Sequence, residues 1–210
     1  MERCPACGQT YGLTHACPGA IAATSSALVE QPAPTGFAPA YYFRQAIGIA
    51  RFDDGAILRG SRDPKALFYG IAIWLFGQLL ATAAGVFPVA ARGYEVNWLR
   101  VAMGIPILIA FSAVWALLQY AICHLLARWW FGATGTYMGV LRAMLLGSIV
   151  LWAIVIPYVG TIIAGLWSIA VLMRVFEEVD GIERMKAYGL AFVVGLCFWA
   201  LTFTFLVPKG

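Results

Sequence analysis

The chain has 210 residues, of which 62% are hydrophobic and only 11% charged, with a mean hydropathy of +0.82 and a formal charge of +4. Soluble domains carry roughly a quarter charged residues, so this balance excludes an ordinary soluble globule and leaves room for one bilayer domain with a modest polar appendage. The basic residues are scattered along the edges of apolar segments and form no tract, which argues against a nucleic-acid partner.

Residues 1–19 open with Cys4, Pro5, Ala6, Cys7 and Gly8, a knuckle in which two thiolates point at one centre and Gly8 lets the backbone turn beneath it. His15 and Cys17 supply two further ligands. Three thiols and an imidazole suit tetrahedral Zn²⁺, and a reducing cytoplasmic location keeps the thiols available for metal. The second half is irregular, because a full ribbon would bring another Cys-x-x-Cys where this chain has His15 and Cys17 one residue apart. The expectation is a structural zinc site at Cys4, Cys7, His15 and Cys17, beside two alternatives, a disordered or redox-active tail and a metal shared between two chains. Four protein ligands leave no open position for catalysis. With no basic flank leading into a strong apolar run within residues 1–30, no cleaved signal peptide is expected.

Residues 20–40 carry Ala, Thr, Ser and Pro without periodicity and read as a flexible linker. Within 41–65 a helical pattern places Arg44, Gln45, Gly48 and Arg51 on one side and Phe43, Ala46, Ile47, Ile49 and Ala50 on the other. The expectation is an amphipathic helix at the membrane interface, with Arg44 and Arg51 meeting anionic headgroups at about 1 kcal/mol each; packing of that helix against the ends of the spans is the alternative. Asp53, Asp54 and Gly55 interrupt the pattern and divide it into two short helices.

About 20 helical residues cross a hydrocarbon layer some 30 Å thick, and five apolar segments meet that length: about 66–91, 101–127, 137–156, 158–176 and 187–207. Trp98 and the Trp129, Trp130, Phe131 cluster flank the second, at the headgroup level where amphipathic rings concentrate. Pro157 to Gly160 is the natural break between the third and fourth. Between Ala66 and Phe176 the sole carboxylate is Glu95, so the acids that mark ion pathways and intramembrane catalysis have no place in the spans. Basic residues are retained on the cytoplasmic side. Arg3, Arg44, Arg51, Arg59, Arg62, Lys65, Arg128, Arg174, Arg184 and Lys186 fall on the side of the N-terminus, against Arg92, Arg100 and Lys209. The predicted fold is therefore an all-α, polytopic bundle of five transmembrane helices with the N-terminus cytoplasmic and the C-terminus opposite.

Inside the spans Cys123 and His124 are adjacent and point about 100° apart, poor geometry for a nucleophile and its base. His124 shares a face with Arg128, and Arg142 lies near the inner surface, where it snorkels or pairs with Glu177 or Glu178. These five residues form a candidate polar cluster at the cytoplasmic end. Gly135, Gly139, Ala143 and Gly147, at spacings of four, mark a face where helices approach closely; it is read as an internal contact, with a homodimer seam as the alternative. Glu177, Glu178, Asp180 and Glu183 are read as surface acids on the cytoplasmic side that meet the basic interfacial helix, with a docking surface for a basic partner as the alternative.

The sequence Asp63, Pro64, Lys65, Ala66, the run His124 to Arg128 with the glycine loop 132–135, the Pro157 to Gly160 break, Trp167, and Lys186 with Ala187 resemble the Yip1-domain family of five-span membrane proteins over roughly residues 41–207. The resemblance implies a cytoplasmic N-terminus, a five-helix bundle and, for the eukaryotic branch, partnership with Rab-type GTPases and other family members in vesicle traffic. The compact form resembles prokaryotic members, which points to an inner membrane; the zinc knuckle departs from the family core. The expected function is a non-catalytic membrane scaffold or adaptor acting through its cytoplasmic face on lipid, on protein partners or on further copies of itself. An oligomeric transporter or channel is the alternative, with a pore built from Gln78, Gln119 and Thr82. An intramembrane enzyme is disfavoured: Glu177 and Glu178 resemble the paired glutamates of the CAAX-processing protease family, but that motif requires Arg where this chain has Ile182.

Overall fold

The computed structural model describes residues 34–157 and 159–206. The chain divides into two units, Met1–Phe37 and Ala38–Gly210, and of the first only residues 34–37 are described. The zinc knuckle and most of the linker lie outside the described residues.

Every regular element described in the second unit is helical. α1 (Pro39–Ala50) begins with proline in its first turn, where a missing N–H costs nothing. Its buried stripe is Tyr42, Gln45, Ala46, Ile49 and Ala50, while Phe43 is 41% exposed. The expected faces are thus rotated: Gln45 goes inward and Phe43 outward. Gln45 Nε2 donates to the Tyr41 hydroxyl at 3.2 Å, while its buried Oε1 has no partner. Arg51, Phe52 and Asp53 break the helix, with Phe52 in the left-handed region at φ 64°. Asp53 then caps α2 (Asp54–Arg62) by accepting from the Ala56 N–H at 3.0 Å, and Arg59 and Arg62 lie at its negative end.

α3 (Ala66–Ala91) and α4 (Trp98–Phe131) are long apolar helices. Asn97 caps α4 through the Arg100 N–H, and Gly132, at φ 67°, ends it in the left-handed turn that a side chain would strain. After a short loop, Thr136 caps α5 (Tyr137–Gly147). The helix then tightens into a 3₁₀ segment, Ser148–Val155, instead of running on as α-helix through the expected third span. Ile149, Val150, Ile154 and Val155 are β-branched and weak helix formers, and the 3₁₀ rise of about 2.0 Å per residue lets eight residues reach further than α-helix would. α6 (Gly160–Asp180) ends at Gly181, again left-handed at φ 67°, and α7 (Arg184–Leu206) follows.

Three of these helices are long and apolar enough to cross a membrane: α3, α4, and α5 with its 3₁₀ continuation. No residue in the most apolar stretch of α4 is buried within the chain, and Leu99, Met103, Ile107, Leu108, Phe111 and Val114 face outward. An apolar surface of that extent belongs against lipid.

Close approaches set the helix directions. A Cβ on Gly70 would stand 2.7 Å from the Leu145 Cβ, and Gly77 lies over Leu151 and Trp152, so α3 and α5 run parallel. Gly139 meets Val179 and Gly147 meets Val171, so α5 and α6 run antiparallel. Tyr42, Ile49, Ile57, Val140, Leu146, Val171, Val175 and Phe176 are all at most 1% exposed. The core therefore sits at one end, where α1 and α2 lie across α5 and α6.

Candidate functional site: the polar end of the bundle

The starts of α2, α5 and α7 and the ends of α4 and α6 gather at this end, and their polar groups are paired across elements. His124 Nδ1 stands 3.1 Å from Asp180 Oδ2, the carboxylate buried to 1% exposure. The Asp180 carbonyl accepts from the Thr134 N–H at 3.1 Å. A Cβ on Gly135 would lie 2.3 Å from Asp180 Oδ1 and 2.4 Å from the Val179 carbonyl oxygen, so the glycine loop is pressed against the end of α6. Asp180 Oδ1 itself has no hydrogen-bond partner. Burial pushes this carboxyl above the ordinary aspartate value of 3.8, and the hydrogen bond from His124 opposes that rise.

A second cluster surrounds Arg174, which bonds Glu177 within its own helix and Asp54 at the start of α2, with Glu178 at 3.5 Å. Arg184 adds a contact to Glu177 at 2.9 Å. Burial raises the Glu178 carboxyl, Asp54 and Glu177 raise it further, and Arg174 and Arg184 pull it down. Two further contacts hold α1. Tyr42 donates from its hydroxyl to Asp63 Oδ2 at 2.5 Å and stacks on Tyr69 with centroids 4.0 Å apart. Burial, then the bond to Asp63, hold the Tyr42 phenol well above its usual range. Trp167 Nε1 donates to the Ala50 carbonyl at 2.8 Å, satisfying the C-terminal end of α1.

The candidate polar cluster is split by this geometry. His124 is joined to Asp180, while Arg128 is exposed. Glu177 and Glu178 are taken by Arg174. Arg142, in place of pairing with them, donates from Nη1 to the Ser61 carbonyl at 3.3 Å, and its buried Nε has no partner. Arg44 and Arg51 lie exposed on the outer face of the α1–α2 pair. Of the small residues, Gly139, Ala143 and Gly147 lie in α5, and Gly135 precedes the Thr136 cap; their neighbours are α6, Ile49 and Ser61 of the same chain. Gln78 and Gln119 line one cavity, and Thr82 sits in a separate apolar recess with its hydroxyl donating to the Gln78 carbonyl at 2.9 Å.

Sequence reasoning placed Asp180 on the surface. Its signal was present: Leu172, Phe176 and Asp180 are spaced by four, and the first two are buried, so the acid continues an inward stripe. Cys123 is fully buried on the neighbouring face of α4, which leaves the His124–Asp180 pair joining two helices with no thiol beside the imidazole ring on its own face. Among the described residues no group of three or more His, Cys, Asp or Glu side chains converges as a metal site. Cys4, Cys7, His15 and Cys17 are outside the described residues. Compared with protein-family models, curated proteins and solved structures, the chain matches none.

Proposed function

We propose that this chain is a non-catalytic integral membrane scaffold of five spans, laid out like the Yip1-domain family, whose cytoplasmic face carries a rigid two-helix platform. The observation that carries the reading is the attachment of α1 and α2 to α5 and α6 by three separate polar contacts, Trp167 to Ala50, Arg174 to Asp54 and Arg142 to Ser61. Groups that fix a platform to the spans are spent on holding it. Phe43, Arg44, Arg51 and Phe52 stand outward, with Asp53 exposed beside them, and these aromatic and basic side chains suit an anionic headgroup layer. In this reading α6 and α7 cross the membrane as well, and the membrane is the inner membrane of a prokaryote. The segment with Cys4, Cys7, His15 and Cys17 binds structural Zn²⁺ and selects protein partners.

The test is a crosslinking pull-down from intact membranes with the full chain and with a chain lacking residues 1–19, metal content being measured on both. Partners lost together with about one zinc per chain support the adaptor. Identical partners from both forms, with no zinc in either, refute the role given to the knuckle. Facilitated solute flux in liposomes would replace the scaffold by a transporter, a second reading that the cavity shared by Gln78 and Gln119 favours.

A further inference from the structure

A cavity of about 280 Å³ lies between α3, α4, α5 with its 3₁₀ continuation, and α6. Gln78, Ser112, Gln119, Tyr120, Ser148 and Ser168 contribute its polar lining, beside Trp74 and Trp115, and none of the described residues that line it is charged. Gln78, Gln119 and Ser168 are each about twelve residues, roughly 18 Å at 1.5 Å per residue, from the polar end of their helices. That depth is within the hydrocarbon layer of the membrane reading, where an unmet amide costs several kcal/mol.

The hydrogen-bonding capacity of the lining is specific. Ser112, Ser148 and Ser168 donate to the carbonyls of Ile109, Leu145 and Ala164 at 3.0, 2.6 and 2.7 Å, so their oxygens are left as acceptors. Among the described residues the Gln78 and Gln119 amides and the Tyr120 hydroxyl meet no protein partner. Three acceptors, two amides that both donate and accept, and aromatic faces fit a compact ligand bearing several neutral hydroxyls. An apolar ligand would leave the amides unmet, and a charged one would enter hydrocarbon without a counter-ion. About nine waters would also fill the volume, at roughly 30 Å³ each, and water alone is the competing occupant.

We propose that this cavity binds a neutral glycerol-type polyol group, carried by a free solute or by an uncharged acylglycerol lipid. The proposal rests on the membrane-spanning reading and is independent of any platform partner.

The full chain in nanodiscs is tested with two probes: glycerol by saturation-transfer NMR, and a diazirine-tagged monoacylglycerol, which keeps two free hydroxyls, by photolabelling with peptide mapping. At least one is expected to bind saturably, weakened about tenfold or more in the Gln78→Leu, Gln119→Leu double variant and unchanged in Thr82→Val. Glycerol signal alone identifies a solute site, lipid labelling alone a lipid site, and lipid labelling that glycerol displaces a site for both. Labelling of the wild type should map to the middle of α3 or α4, a readout that stands if the double variant does not fold. Absence of saturable binding by either probe, labelling confined to other segments, or retention of binding in a folded double variant would overturn the proposal. Equal labelling by a tagged phosphatidic acid, which is charged and has no free hydroxyl on its glycerol, would do the same.

Discussion

Gly135→Ala is expected to be among the most damaging single methyl additions in the chain. The new Cβ would lie 2.3 Å from Asp180 Oδ1, 2.4 Å from the Val179 carbonyl oxygen and 2.9 Å from the Val179 carbonyl carbon. Two of those atoms are backbone at the end of α6 and cannot swing away. The third belongs to a side chain already held by His124. Overpacking costs about 1–3 kcal/mol, and the rigidity of the neighbours puts this case near 3. For a chain of this size that corresponds to a Tm lower by about 6–12 °C, at 2–4 °C per kcal/mol. Gly165→Ala is the matched control, since its Cβ would meet nothing within 4 Å; it should leave Tm unchanged or raise it. Adding Asp180→Ala to Gly135→Ala should recover only part of the loss, because the Val179 carbonyl remains. The assay is thermal unfolding in detergent followed by tryptophan fluorescence. A Gly135→Ala protein as stable as Gly165→Ala would show that the glycine loop does not lie against α6, and the joining of α4 to α6 at this end would fall with it.

The buried carboxyl of Asp180 makes stability depend on pH. Because burial raises its value in the folded state, the folded chain holds the proton more tightly than the unfolded one, and stability falls as pH rises from about 4 through the raised value. Asp180→Asn removes that part of the slope, so the Tm difference between variant and wild type should shift in the variant's favour with increasing pH; a constant difference across pH 4–8 would contradict the assignment. Arg174→Gln leaves Asp54, Glu177 and Glu178 without their shared cation. Hydrogen exchange in α1 and α2 should accelerate while exchange in α5 is unchanged, and equal protection in both proteins would show that the Arg174 cluster does not hold the platform.

Helix positions were legible in the sequence because long apolar runs bounded by Pro, Gly and interfacial Trp leave few alternatives. The start of α3 at Ala66 and the break near Pro157 follow from those signals. What could not be read was how elements far apart in sequence meet. Asp54 and Arg174 are separated by 120 residues, and Trp167 and Ala50 by 117; each looks like an ordinary interfacial residue on its own helix. Asp180 was misplaced because proximity to Glu177, Glu178 and Glu183 suggested one acidic surface, whereas helical spacing turns it inward with Phe176. The rotation of α1 has a similar cause. Gln45 is polar by type, yet it shares the buried stripe with its amide nitrogen on Tyr41 one turn away.

In the proposed topology the helices alternate across a membrane five times with the platform inside. Single cysteines at Arg51, Gly93, Gly132, Val159 and Gly181, in a chain whose native cysteines are replaced by alanine, test it through an impermeant maleimide applied to intact cells and then to permeabilised ones. Labelling is expected at the Gly93 and Val159 positions in intact cells, and at the Arg51, Gly132 and Gly181 positions only after permeabilisation. Labelling of positions 159 and 181 from the same side would mean that α6 does not cross, and would contradict the five-span account.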